Sequence, residues 1–249
     1  MQLPRPIAAP RAPLDRRTLA EEVLVVLSLS VLEPATQAIV DYFRRPLAGQ
    51  IAYAANQSVL FADQLIPFVF GLAPVLLVLH LVRRSGEGPE TIGLGSDRLR
   101  SDAGGGLILF AVVGIAGIGV YLLAVGLGVN RFVVPAPPPD HWWTYPAVFM
   151  NAAEAALLEE TVLIGYLITR LQQIGWSSNG AVTASAALRG TYHLYQGWGG
   201  FGGNLAMGLL FGWIFTRTRR TWPFVVAHFL LDVGAATGWL LFRHRLPGF

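Results

Sequence analysis

No cysteine and no lysine occur among the 249 residues, and charged residues of all kinds make up only 13%. The first absence excludes disulfides, thiolate catalysis and cysteine-based zinc sites. The second means that the net charge of +3 comes from arginine alone. Lysine-free sequence rich in Ala, Gly, Leu, Val and Arg has the look of a GC-rich bacterial genome. There is no His-Glu-x-x-His sequence, no internal repeat, no low-complexity tract and no stretch with the polarity of a separate soluble domain. The first 17 residues carry Pro and Arg without a small-residue cleavage site behind a short apolar core, which reads as a retained cytoplasmic tail.

What the chain has in abundance is apolar surface. Hydrophobic residues reach 53% and the mean hydropathy is +0.51, far above an ordinary soluble domain. The expected fold class is therefore all-α, a polytopic integral membrane protein with about seven to eight transmembrane helices. A bilayer core of roughly 30 Å takes about 20 helical residues to cross. Segments near Ala20–Tyr42, Val59–Val82, Gly105–Leu127, Tyr145–Leu171, Ala181–Leu194, Asn204–Phe215 and Trp222–Leu241 are the candidates. Glu33-Pro34 is expected to kink or end the first, Arg44–Ser58 reads as an amphipathic surface helix, and the glycine-rich Gly197–Gly203 is expected to extend the short fifth and sixth segments. The expected layout is a tail (1–19), N-terminal membrane helices and loops (20–142), a membrane core carrying the chemistry (143–242) and a C-terminal tail (243–249).

The arginines cluster between apolar runs, as residues that set topology do, so the basic balance points to membrane lipid rather than nucleic acid. With the N-terminus inside, Arg5, Arg11, Arg16, Arg17, Arg83, Arg84, Arg98, Arg100, Arg170, Arg217, Arg219 and Arg220 fall on the cytoplasmic side. Arg44, Arg45, Arg131, Arg243 and Arg245 fall outside, and the last two fit the scheme poorly. The expected location is the cell membrane with a cytoplasmic N-terminus.

Ionisable groups at membrane depth are costly and usually functional. Glu159 and Glu160 stand side by side in an apolar helical stretch, about 100° apart on an α-helix. One can then face a cavity while the other braces a neighbouring helix. His193 closes the fifth segment. His228 and Asp232, four residues apart in the last, share a helix face. Asn204, with Gly208 and Gly212 behind it at four-residue intervals, marks a small-residue stripe suited to close packing. Carboxylates with imidazoles in a membrane suggest acid–base chemistry on a buried water. Structural readings stand beside this one: a glutamate pair salt-bridged to Arg170 or Arg189, an interfacial His193, a helix-stabilising His228–Asp232 pair, and a packing or capping Asn204. The tryptophans read as an interfacial belt.

Glu159-Glu160-Thr161-Val162-Leu163-Ile164, Arg189-Gly190-Thr191-Tyr192-His193, Asn204 on a glycine-bearing helix, and His228-Phe229-Leu230-Leu231-Asp232 follow one another on successive apolar segments. In that order they resemble the CPBP family (CAAX proteases and bacteriocin-processing proteins, also called Abi), over roughly Ala147–Leu241. The resemblance implies a metal-independent intramembrane glutamate endopeptidase acting on a peptide or protein substrate, without cofactor. It implies Glu159 and His193 as activators of the attacking water, His228 and Asp232 at the oxyanion positions, Glu160 as auxiliary carboxylate and Asn204 as part of the polar cluster. Three positions depart from the family pattern. Ile164 stands in place of an arginine, Arg189 in place of a phenylalanine, and Asp232 in place of the more usual asparagine. Arg189 is expected to supply the missing positive charge from the adjacent helix. Asp232, as an ionised carboxylate, cannot donate to an oxyanion, and so must be protonated or else orient His228. The competing classes are a catalytically silent membrane scaffold or immunity protein, a proton-coupled transporter, and a zinc peptidase using Glu159, His193 and His228. Transporters usually carry polar sites in both halves, whereas here they cluster in the second.

Overall fold

Asp15 starts the first helix by accepting a hydrogen bond from the Thr18 backbone N–H at 2.8 Å, the usual way of satisfying an orphan donor. That helix, α1 (Arg16–Ser30), buries Leu19, Glu22, Val23, Val26 and Ser30, a spacing of three and four that makes one face. Its opposite face exposes Leu24, Val25 and Leu29. The chain is a computed structural model describing residues 15–32, 34–35, 38–39, 57–129 and 141–242. The expected surface helix at 44–58, the Glu33-Pro34 kink, both tails and the proline-rich 130–140 lie largely or wholly outside the described residues.

Among the described residues every regular element is a helix. After α1 come α2 (Gln57–Gly71) and α3 (Ala73–Arg84). Together they carry the apolar segment expected near Val59–Val82, with the single turn residue Leu72 between them. Pro74 at the start of α3 has no N–H to continue the ladder, so the helix breaks at Leu72. A 3-10 turn (Pro89–Ile92) leads to α4 (Leu99–Gly126). Next, α5 (Thr144–Glu159) runs without a gap through a π-helical stretch (Glu160–Leu167) into α6 (Ile168–Gln173). Then follow α7 (Ser178–Tyr192), a 3-10 turn (Leu194–Gln196), α8 (Trp198–Thr218) and α9 (Trp222–Phe242). The glycine-rich 197–203 does extend the short sixth segment, because helix α8 already starts at Trp198.

Three helical stretches are long and apolar enough to cross a membrane by length and composition: Gln64–Arg84, Leu99–Gly126 and Trp222–Phe242. The middle one buries only Asp102, Gly106 and Ala124. Leu107, Ile108, Val112, Ile115 and Ile118 stand outward, each more than half exposed. An apolar surface of that extent belongs against lipid, and the protein is a membrane protein.

The core lies around the π-helical stretch, where Val162, Leu163, Ile164, Tyr166 and Leu167 pack with Val78, Val82, Ile92, Phe211, Phe215 and Phe224. Two glycines set the spacing of its walls. A Cβ on Gly165 would stand 2.6 Å from the Ile92 carbonyl oxygen, which also accepts the Thr221 hydroxyl at 2.6 Å. A Cβ on Gly208 would stand 2.9 Å from the Ala186 Cα, so α7 and α8 touch backbone to backbone. Gly208→Val is therefore expected to destabilise the protein by about 1–3 kcal/mol, read as a lowered midpoint in a detergent thermal melt. An unchanged midpoint would show that α7 can move aside at no cost.

The arginines gather at one end of the bundle. Arg84 ends α3 and pairs with the buried Glu22 of α1. Arg170 pairs with Glu87 and donates to Ser85 at 3.2 Å. Arg220 donates to Asp97 at 2.6 Å and pairs with Asp102. Burial by itself raises the Glu87 carboxyl, but hydrogen bonds from Ser85 and Arg170 outweigh it and leave the group below its ordinary range. A depressed carboxylate contributes stability at pH above its unfolded pKa and loses it as pH falls through the folded one. Acid is thus expected to loosen this end of the bundle.

Candidate active site

The two glutamates sit halfway along a continuous helix. The 16 residues of α5 lie on one side of Glu160, and the 8-residue π-helical stretch that it opens plus the 6 residues of α6 lie on the other. At about 1.5 Å per residue that is roughly 20 Å from either end. His193, the residue ending the 15-residue α7, comes to a similar depth.

The neighbouring carboxylates have different surroundings. Glu160 is fully buried. Its Oε1 takes an ion pair from Arg189 and a 2.8 Å contact from His228 Nδ1. Glu159, with its side chain 18% exposed, faces the other way. Its Oε2 accepts the Tyr192 hydroxyl at 2.5 Å, and lies 3.6 Å from Arg189 Nη2 and 3.9 Å from His193 Nε2. The α7 side of the site is one helical turn, since Arg189, Tyr192 and His193 have the i, i+3, i+4 spacing that shares a face. The guanidinium is fully buried and reaches both carboxylates. Arg170, the other candidate partner for the pair, instead holds Glu87 and Gln173. Ile164 is buried in the apolar core.

His193 Nδ1 lies 3.2 Å from the Gln196 amide nitrogen. An amide N–H can only donate, so Nδ1 accepts and the ring proton belongs on Nε2, toward Glu159. His228 stands between two carboxylates, with Nδ1 on Glu160 and Nε2 3.4 Å from Asp232 Oδ2. The Asp232 side chain is 42% exposed, at the open edge of the cluster. Asn204 takes no part in these contacts: its side-chain amide donates to the Gly200 carbonyl one turn back on α8, at 3.0 Å. Among the described residues no group of three or more His, Asp and Glu side chains converges as a metal site would require.

Tyr192 is the residue that sequence reasoning passed over. A tyrosine in an apolar helix reads as packing, and only its place beside His193, three residues after Arg189, hinted otherwise. The order of the elements, the paired glutamates on one helix, His193 at the end of α7 and His228 within α9, finds a counterpart among known families. Residues 141–234 match the family model described as Type II CAAX prenyl endopeptidase Rce1-like. That stretch is similar to type II CAAX prenyl endopeptidases. It contains Glu159, Glu160, Arg189, Tyr192, His193, Asn204, His228 and Asp232, and at the level of the family it implies proteolysis inside the membrane. No curated protein and no solved structure matches the chain.

Proposed function

We propose that the protein is an intramembrane endopeptidase that hydrolyses a peptide bond with water activated by Glu159 and His193, without a metal. The observation that carries this reading is the division of labour between adjacent glutamates. Glu160 is locked by Arg189 and His228, while Glu159 is partly exposed and has His193 Nε2 within 3.9 Å. That gap is too long for a direct hydrogen bond, and both groups can address one water lying beside them.

In this mechanism Glu159 takes a proton from the water, whose oxygen bonds to the scissile carbonyl carbon as the carbonyl electron pair moves onto its oxygen. His193 holds the water through Nε2–H. His228 is held through Nδ1 by Glu160, and its Nε2, 3.4 Å from Asp232 at the open edge of the cluster, is the group that faces the developing oxyanion. Asp232 orients that ring. As the oxyanion's electron pair re-forms the carbonyl, the C–N bond breaks and Glu159, now protonated, returns its proton to the leaving amine. The substrate is a peptide or protein chain that reaches the bilayer interior. The arginine-rich end, with α1 leading from it, supports a cytoplasmic N-terminus in the cell membrane.

The test is cleavage of a tagged peptide library by detergent-purified protein, with and without chelator, for wild type and His193→Ala. Expected is cleavage that survives chelator and falls about 10²- to 10⁴-fold in the variant. Chelator-sensitive cleavage would put a metal in the site, and folded wild type that cleaves nothing would favour a silent scaffold.

A further inference from the structure

The hydroxyl of Tyr192 lies 2.5 Å from Glu159 Oε2. Tyr192 is buried, its ring 4.7 Å from that of His193, so the phenol is held by packing on one side and by the carboxylate on the other. The remaining donors near Oε2 are farther off, Arg189 at 3.6 Å and His193 at 3.9 Å. Among the described residues no hydrogen bond is made to the other oxygen, Oε1.

We propose that Tyr192 is a positioning residue that clamps Glu159 Oε2 and so presents Oε1 as the oxygen that deprotonates the attacking water. This rests on the peptidase reading given above. A general base needs a lone pair free to receive a proton, and a carboxylate drawn into a close ion pair with Arg189 would lose that freedom. The Tyr192 hydroxyl prevents it by holding Oε2 while Arg189 stays committed to Glu160. In the hydrolytic step a water O–H bond breaks, its proton goes to Oε1, the water oxygen bonds to the carbonyl carbon, and Tyr192 keeps its own proton throughout. The tyrosine touches neither water nor substrate. Its removal is therefore expected to lower turnover and leave substrate binding in place.

The experiment compares wild type, Tyr192→Phe and Glu159→Gln on the peptide that wild type cleaves, with a detergent thermal melt of each. Phenylalanine keeps the ring and its packing. Tyr192→Phe is expected to lose about tenfold or more in kcat, with KM within about twofold of wild type and the melt unchanged. Wild-type kcat in Tyr192→Phe beside an inactive Glu159→Gln would overturn this proposal alone, as would a rise in KM at unchanged kcat. Full activity in Glu159→Gln would overturn the peptidase assignment and the tyrosine's role together.

Discussion

Glu159→Gln is expected to reduce kcat/KM for peptide cleavage by about 10²- to 10⁴-fold while leaving the protein folded. The amide keeps the size of the side chain and can still accept the Tyr192 hydroxyl, which is 2.5 Å from Oε2 in the native site. What it loses is the ability to take a proton. Glu160→Gln provides the contrast, because that carboxylate is fully buried and holds both Arg189 and His228. Removing its charge leaves a buried guanidinium short of its nearest counter-ion, so Glu160→Gln is expected to lower the melting midpoint as well as activity. Activity assays and melts on the two variants separate the roles. If Glu159→Gln lost stability and kept activity while Glu160→Gln did the reverse, the assignment of base and brace would be inverted.

Arg189→Ala is the second large effect. The guanidinium is fully buried, paired to Glu160 and 3.6 Å from Glu159. Breaking one side of such a pair strands the other charge, at a typical cost of about 3–5 kcal/mol, which is much of the stability of an ordinary domain. Both contacts come from the single Nη2, so Arg189→Lys, which keeps a charge on one nitrogen, is expected to lose less than Arg189→Ala. Detergent melts and cleavage assays on both variants check this. Wild-type behaviour of Arg189→Ala would mean that the glutamate pair needs no partner from α7.

The clustering of these ionisable side chains was legible in the sequence because an apolar surrounding makes charge conspicuous. Two adjacent glutamates within an apolar run could hardly be solvent-facing, and the four-residue spacing of His228 and Asp232 does place both on one face, 3.4 Å apart. The helix arithmetic that set Glu159 and Glu160 about 100° apart also matches their opposed surroundings. The departures at Ile164 and Arg189 were visible as a pair, one position losing a charge and the other gaining one, and Arg189 does lie against Glu160. Partners across helices were less legible. Arg170 was an equal candidate for the glutamates until the loop carrying Glu87 was seen to fold onto it. Asn204 read equally as part of the polar cluster or as a packing or capping residue, and here its amide is satisfied by Gly200 of its own helix. Pro74 signalled the break at Leu72, but the unbroken hydropathy of Val59–Val82 masks it. Glycine-rich 197–203 has low helix propensity, yet, as the short apolar segment beside it suggested, it forms the start of α8.

The π-helical stretch from Glu160 to Leu167 makes the number of residues in this segment a functional quantity in its own right. Such a wide turn is equivalent to an extra residue threaded into an α-helix. It dials the lower part of the rod, with Arg170 toward Glu87, independently of the upper part that aims Glu159. Were the same residues wound as an ordinary spiral, the surplus residue would swing one half by about 100° against the other. Every side chain would then still be present, yet the carboxylates and the arginine clamp below could no longer both meet their partners. Substitutions here change chemistry; tightening the wide turn at constant length would change phase.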